Sequence, residues 1–273
     1  MYLDSFVFGE TDKYVYPHEV IIEKGLLRVN FAPITIFYGG NGSGKSTILN
    51  VIARTIGVRG MSLGNTSDYF RNYIQLCNFN CAGQINERTA HFIRSEDIME
   101  GILKIREENQ KVTEQAHKEA AFLDDYVEGL GDRFRDPDSM EPWEKNLVSR
   151  LEKGHKLLLS LYSRARQYSN GESAIKYFKT NFVKNALFFL DEPENSLDSV
   201  YQQKLAAMIE DHVRNSNGQF IIATHSPFLM AMEGAKVIDL DSYPATERPW
   251  YELPNMVAYF DFFQKHAKKF QTK

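Results

Sequence analysis

The chain has 273 residues, 43% of them apolar and 25% charged, with a formal net charge of −4. That balance suits one large α/β domain, or a core domain with a small insertion, and argues against a protein that coats nucleic acid non-specifically, although a local basic patch stays open. No apolar run approaches the roughly 20 residues of a membrane span, and the acidic N-terminal stretch "MYLDSFVFGETDKY" does not read as a signal peptide, so the expected location is the cytoplasm.

In chain order, "SFVF" (5–8) and "VIIE" (20–23) carry strand-type residues, and "KGLLRVNF" follows a turn at Gly25. "ITIFYG" (34–39) predicts a buried strand that runs into a glycine-rich loop. Ile48, Leu49, Ile52 and Ile56 then fall at helical spacing, and Gly57 ends that helix. Cys77 and Cys81 are spaced C-x-x-x-C. No second Cys/His pair follows at zinc-like spacing, which favours two buried or half-buried thiols over a metal site.

Residues 95–166 read as a mainly helical insertion between two core segments, 1–94 and 167–273. Ser95 and Asp97 are candidate N-caps, "GDRFRDPDSMEP" (131–142) is a break, and a second helix spans about 143–166. There is no sustained heptad repeat, which argues against a long coiled-coil arm. Leu147, Leu151, Leu158 and Leu161 share a face of the second helix and leave Lys145, Lys153 and Lys156 towards solvent. A solvated face is the plainer reading of those lysines, and a nucleic-acid surface the sharper one. Downstream, "NALFFLDEP", "QFIIATHSP" and "AKVIDLD" predict strands, with a helix over "SVYQQKLAAMIEDHVRNS". Alternating β and α elements imply a mostly parallel sheet covered on both faces.

"GGNGSGKS" (39–46) fits G-x-x-x-x-G-K-[ST] between a predicted strand and a predicted helix. Gly39, Gly40, Asn41, Gly42, Ser43 and Gly44 let backbone N–H groups turn inward around phosphates, and the helix through Lys45, Ser46 and Thr47 presents its positive end. Lys45 is expected to reach the β- and γ-phosphates of ATP, and Ser46 to give a hydroxyl to Mg²⁺. Asp191 ends an apolar strand, where a carboxylate suits Mg²⁺ through water. Glu192 can orient or deprotonate an attacking water, and His225, at the end of the next strand, can touch the γ-phosphate. "YSNGES" (168–173) precedes a helix expected near Ser173, and serves equally as a helix cap or as a second anion-binding end.

In this order the pieces resemble the ATP-binding-cassette (ABC) ATPases: "GGNGSGKS" is similar to their Walker A, "YSNGES" to the signature, "LFFLDEP" to Walker B, "NSLD" (195–198) to the D-loop and "ATHS" to the switch-histidine segment. With "HFIRSEDI" (91–98) included, the chain resembles small stand-alone bacterial ATPases of the AAA family or ABC type rather than transporter motors. The resemblance implies an α/β P-loop NTPase fold and a head-to-tail homodimer that closes on two ATP molecules. Each ATP would lie between one P-loop and Ser169, Asn170, Gly171 and Glu172 of the second copy, with Asp198 crossing the same interface. Asn170 stands where the family signature has its first glycine, a position that asparagine tolerates. Gln75 and Gln84 are both candidates for the Q-loop, and Tyr14 and Tyr16 for the aromatic that stacks on adenine. ATP hydrolysis that drives work on a protein or nucleic-acid partner is the first functional expectation, in a DNA-related or defence process by analogy. A nucleotide-gated clamp with little turnover is the second, and a transporter motor the third.

Overall fold

The computed structural model describes residues 1–58, 67–83, 85, 89–133, 141, 149, 150, 153, 169–195 and 197–270. Two compact units are present: residues 1–99 with 170–273, and residues 100–169.

The first unit is built on a six-stranded sheet ordered β5-β6-β7-β3-β8-β9, comprising β3 (Ile34–Tyr38), β5 (Ala90–Arg94), β6 (Leu187–Asp191), β7 (Gln219–Ala223), β8 (Ala235–Asp239) and β9 (Thr246–Glu247). All neighbours run parallel except β9, which is antiparallel to β8. Every residue of β3, β6 and β7 is buried, as expected of central strands covered on both faces. The period-2 alternation of β6 sorts its side chains. Leu187 and Phe189 join Ile48, Leu49 and Ile52 of α2 (Lys45–Thr55), whereas Phe188 stacks on Phe220 at 4.9 Å and meets Phe182 at 5.0 Å on the other face. Helices α5 (Asn170–Asn181) and α6 (Ser199–Ser216) pack on each other, and α6 also packs on β7.

A second sheet, β2-β1-β4, is antiparallel and joins β1 (Leu3–Val7), β2 (Arg28–Asn30) and β4 (Asn78–Cys81). Gln219, fully buried at the start of β7, fastens it to the main sheet. Its Oε1 accepts the N–H groups of Tyr2 (2.7 Å) and Leu3 (2.8 Å), and its Nε2 donates to Leu3 O (2.8 Å) and Ala32 O (3.3 Å). All the hydrogen-bonding atoms of one amide are thereby used, which is what a buried amide requires.

Several expectations need correction. "VIIE" is not a strand: His18–Glu23 is a helix, α1, whose buried residues His18 and Ile21 lie three apart and whose Val20 faces the P-loop, so tertiary contact overrides β-propensity. The helix expected near Ser173 begins at Asn170. The thiols differ from each other: Cys77 is buried and Cys81 exposed. Ser95 and Asp97 lie in the first turn of α4 (Ser95–Arg133), where Asp97 Oδ2 accepts the Arg94 N–H at 2.9 Å. Helix α3 (Asp68–Ile74), the four-residue α7 (Pro227–Met230) and α8 (Pro254–Phe270) were not anticipated from the sequence. Most of the break at 131–142 and of the helix at 143–166, including Leu147, Leu151, Leu158, Leu161, Lys145 and Lys156, falls outside the described residues, as do Gln84 and Tyr168. Among the described residues no helix is long and apolar enough to cross a membrane.

Candidate functional site

The carboxyl ends of β3, β5, β6, β7 and β8 lie along one edge of the sheet, and each delivers a polar residue there. Strand β3 runs into the P-loop. Two of its glycines are required sterically: a Cβ on Gly39 would lie 2.4 Å from Ser43 Oγ, and one on Gly44 (φ +91°) 2.4 Å from Val20 Cγ1 of α1. Gly42 also takes positive φ, at +79°. Gly44 caps α2, so the free N–H groups of that helix open into the loop. Asn41 and Gly42 are exposed and Ser43 is buried. Among the described residues Ser43 Oγ has no hydrogen-bond partner.

Lys45 is only 4% exposed, and its ammonium donates to Gly39 O (2.9 Å) and Gly40 O (3.0 Å) while lying 3.6 Å from Glu192 Oε1. A buried cation folded back on its own loop is ready to exchange carbonyls for phosphate oxygens, which are stronger acceptors. Ser46 Oγ donates to Asp191 Oδ1 at 2.8 Å. A hydroxyl and a carboxylate in contact at a helix N-terminus are the hard oxygen donors that Mg²⁺ prefers. Burial pushes the Asp191 carboxyl up to about 6; the Ser46 hydrogen bond opposes this, the Glu192 charge adds to it and Arg94 offsets part.

Glu192 has φ +47°, a conformation that a non-glycine residue adopts at some cost and that occurs often at functional sites. Its N–H donates to Ala223 O (2.9 Å), and its Oε2 accepts Asn195 Nδ2 (2.9 Å), so both backbone and carboxylate are fixed. His225, two residues past β7, is half exposed, and its Nδ1 lies 3.4 Å from Glu194 Oε1.

The signature residues belong to a different neighbourhood. Ser169 and Asn170 are exposed, Gly171 is buried and Glu172 lies in the first turn of α5. A Cβ on Gly171 would fall 2.2 Å from Tyr201 Cδ2 on α6. Asp198 caps α6 by accepting the N–H groups of Val200 and Tyr201, both at 3.0 Å. The signature turn and the D-loop are thus joined through Tyr201.

Of the two tyrosines, Tyr16 stands by the P-loop, with its hydroxyl 3.4 Å from Thr47 Oγ1, whereas Tyr14 is 61% exposed and hydrogen-bonded to Glu23. Gln75 caps the C-terminus of α3. Sequence reasoning missed four residues of this edge. Arg94 ends β5 opposite Asp191 and donates to Asn50 Oδ1 (2.6 Å), while Asn50 Nδ2 donates to Ser46 O (2.6 Å). Asp241, just past β8, accepts the Gly40 N–H at 2.9 Å. Glu194 is buried beside His225. For Arg94 and Asp241 the signal available in the sequence was position, since each follows an apolar run, whereas Asn50 and Glu194 carried none.

A family profile described as "AAA domain, putative AbiEii toxin, Type IV TA system" matches residues 154–231. The matched stretch carries the signature, Walker B, D-loop and switch-histidine segments, and the P-loop precedes it. By fold and motif set the chain is similar to the ABC/AAA-like P-loop ATPases. Among solved structures, the Smc head domain with an extended coiled coil bound to the C-terminal domain of ScpA from Pyrococcus furiosus is similar at 14% identity over 87% of this chain and 93% of that one, with a TM-score of 0.41. The SMC head domain from Thermotoga maritima matches at 14% identity, 91% and 99% coverage and a TM-score of 0.38. An inward-facing putative metal-chelate type ABC transporter gives 14%, 95% and 88%, and 0.37. At these values none of the three bears on what this P-loop protein does. No curated protein matches the chain.

Proposed function

We propose that the chain is a Mg²⁺-dependent ATPase that closes as a head-to-tail homodimer on two ATP molecules and acts through that closure on a macromolecular partner. The observation that carries this reading is the juxtaposition, at one strand edge, of the Ser46–Asp191 hydrogen bond (2.8 Å) and the Lys45–Glu192 approach (3.6 Å). Segments 1–94 and 167–273 form the ATPase core in this proposal, and 95–166 the insertion that leads to the signature.

The P-loop from Gly39 to Thr47 binds the triphosphate, with Lys45 reaching the β- and γ-phosphates. Ser46 and Asp191 hold Mg²⁺, which when bound offsets the charge of the phosphates. Glu192 orients the attacking water and accepts its proton, aided by the Asn195 amide that fixes its second oxygen. His225 contacts the γ-phosphate. Tyr16, beside Thr47, is placed to cover the adenine base. Ser169, Asn170, Gly171 and Glu172 from the second copy complete the site at the N-terminus of α5, and Asp198 crosses with them. A cytoplasmic role in a DNA-related or defence process is part of this proposal, by analogy alone, with nucleic acid or protein as the class of partner.

A nucleotide-gated clamp with slow turnover is the second reading. It is favoured by the Glu192 carboxylate being engaged twice, by Lys45 and by Asn195.

The test is mass in solution and steady-state turnover for the wild type and Glu192→Gln. The variant is expected to trap an ATP-bound dimer with turnover reduced at least about 100-fold. A variant that stays monomeric at saturating ATP and Mg²⁺ refutes the composite site. A wild type that dimerises with ATP yet shows negligible turnover selects the clamp.

A further inference from the structure

We infer that Glu194 is the positioning residue for His225, holding the histidine that follows β7 in register with Asp191 and Glu192 at the end of β6. The inference deepens the ATPase reading above and rests on it for the role of His225. Glu194 is 4% exposed, and its Oε1 gathers three groups: it accepts Thr224 Oγ1–H (2.5 Å) and His225 N–H (2.9 Å), and lies 3.4 Å from His225 Nδ1.

These contacts belong to a closed circuit. Thr224 Oγ1 accepts the Ser226 N–H (2.9 Å), Ser226 Oγ donates to Gln202 Oε1 (2.7 Å), and Gln202 Nε2 donates to Leu197 O (2.9 Å). The Leu197 N–H returns to Glu194 O at 2.8 Å. The ring therefore joins the loop after β6, the end of β7 and the start of α6. Asp198, which caps α6, is the next residue after Leu197, so displacement of the D-loop pulls on the same ring that holds His225. Closed rings of hydrogen bonds resist distortion more than isolated pairs do.

A purely structural ring would need only a neutral acceptor at position 194. A buried carboxylate costs more to desolvate, and among the described residues Glu194 Oε2 has no hydrogen-bond partner. What the charge adds is a preference for the proton of His225 on Nδ1, which turns Nε2 outward from the half-exposed ring. Glu194 thus sets both where His225 stands and which nitrogen it presents.

The experiment combines turnover with histidine ¹⁵N NMR, using His225→Ala to assign the signal. In the wild type His225 is expected to carry its proton on Nδ1. Glu194→Gln keeps an oxygen for Thr224 and for the His225 N–H, so it is expected to fold, to average the two His225 tautomers, and to lower kcat about 5-fold or more with KM changed less than about 2-fold. In the His225→Ala background the same substitution is expected to cost less than about 2-fold, because its effect runs through the histidine. Losses that multiply fully in the double variant, or a His225 signal unchanged in Glu194→Gln, overturn the inference. A wild type without turnover overturns the ATPase reading instead, and the NMR signal alone then decides whether Glu194 governs His225. Should Glu194→Gln fail to fold, Ser226→Ala, which opens the ring at the Gln202 link, takes its place: kcat falling without KM and a shifted His225 signal support the ring, and an unchanged enzyme refutes it.

Discussion

The nucleotide edge and the signature turn are built differently from similar residue types. At the edge, buried and half-buried polar groups pair within a single chain: Lys45 rests on Gly39 and Gly40, Ser46 on Asp191, and Asn50 links Ser46 to Arg94. Around the signature, Ser169 and Asn170 are exposed, and rigidity comes from Gly171 pressed on Tyr201 and from Asp198 capping the helix that carries Tyr201. The edge is prepared to receive a small anion with its cation. The signature turn is braced from behind by Tyr201, and the proposed dimer would set its exposed Ser169 and Asn170 against a second copy.

The contrast can be broken at either end. The largest effect is expected from Lys45→Ala, which removes the buried cation and leaves the Gly39 and Gly40 carbonyls without it. ATP affinity measured by titration calorimetry should fall at least about 100-fold, while cooperative thermal unfolding is retained. Retention of affinity within about 10-fold would show that the loop amides alone hold the phosphates.

An intermediate effect is expected from Gly171→Ala, whose Cβ would collide with the Tyr201 ring. ATP affinity of the isolated protomer should change less than about 3-fold, whereas ATP-driven dimerisation, read by analytical ultracentrifugation, should weaken about 10-fold or more. Equal loss of both would mean that the two regions are not separable.

The smallest effect is expected from Asp191→Asn in the absence of nucleotide and metal. Burial raises the Asp191 carboxyl to about 6, so the folded protein holds this proton more tightly than the unfolded chain does. The contribution of this group to stability is therefore most favourable below the ordinary carboxylate range and declines as pH rises towards about 6. Above that pH the charged form carries the full desolvation cost. At pH 7.5 the amide should stabilise the free protein by about 1 kcal/mol, less than the full shift converts to because an amide must also be desolvated. The gain should shrink as the pH is lowered to about 4. A variant less stable than the wild type at pH 7.5 would show that Arg94 and Ser46 more than offset the burial.

Much of the edge was legible because its chemistry is local. The P-loop glycines, Lys45 and Ser46 are contiguous, and Asp191 and Glu192 end a run of five residues that are all buried. Helix α1 was misread because Val20, Ile21 and Ile22 favour strands locally, and only the packing of Ile21 into the core and of Val20 on Gly44 makes a helix the better solution. Helix α8 was missed for a related reason. Its Tyr259, Phe260, Phe262 and Phe263 also favour strands locally, and although Met256, Phe260, Phe263 and Phe270 fall at helical spacing, Met256 alone of these four is buried.

The sequence by itself determined the parallel α/β core, the phosphate loop and the two carboxylates after it, because each depends on neighbours within a few residues. Only the tertiary structure decided which residues support them. Arg94 reaches Asn50 across 44 residues, Glu194 reaches Thr224 across 30, and Asp241 reaches Gly40 across 201. Those partners become neighbours only when parallel strands bring their carboxyl ends to one edge, and no local pattern records which strand lies beside which.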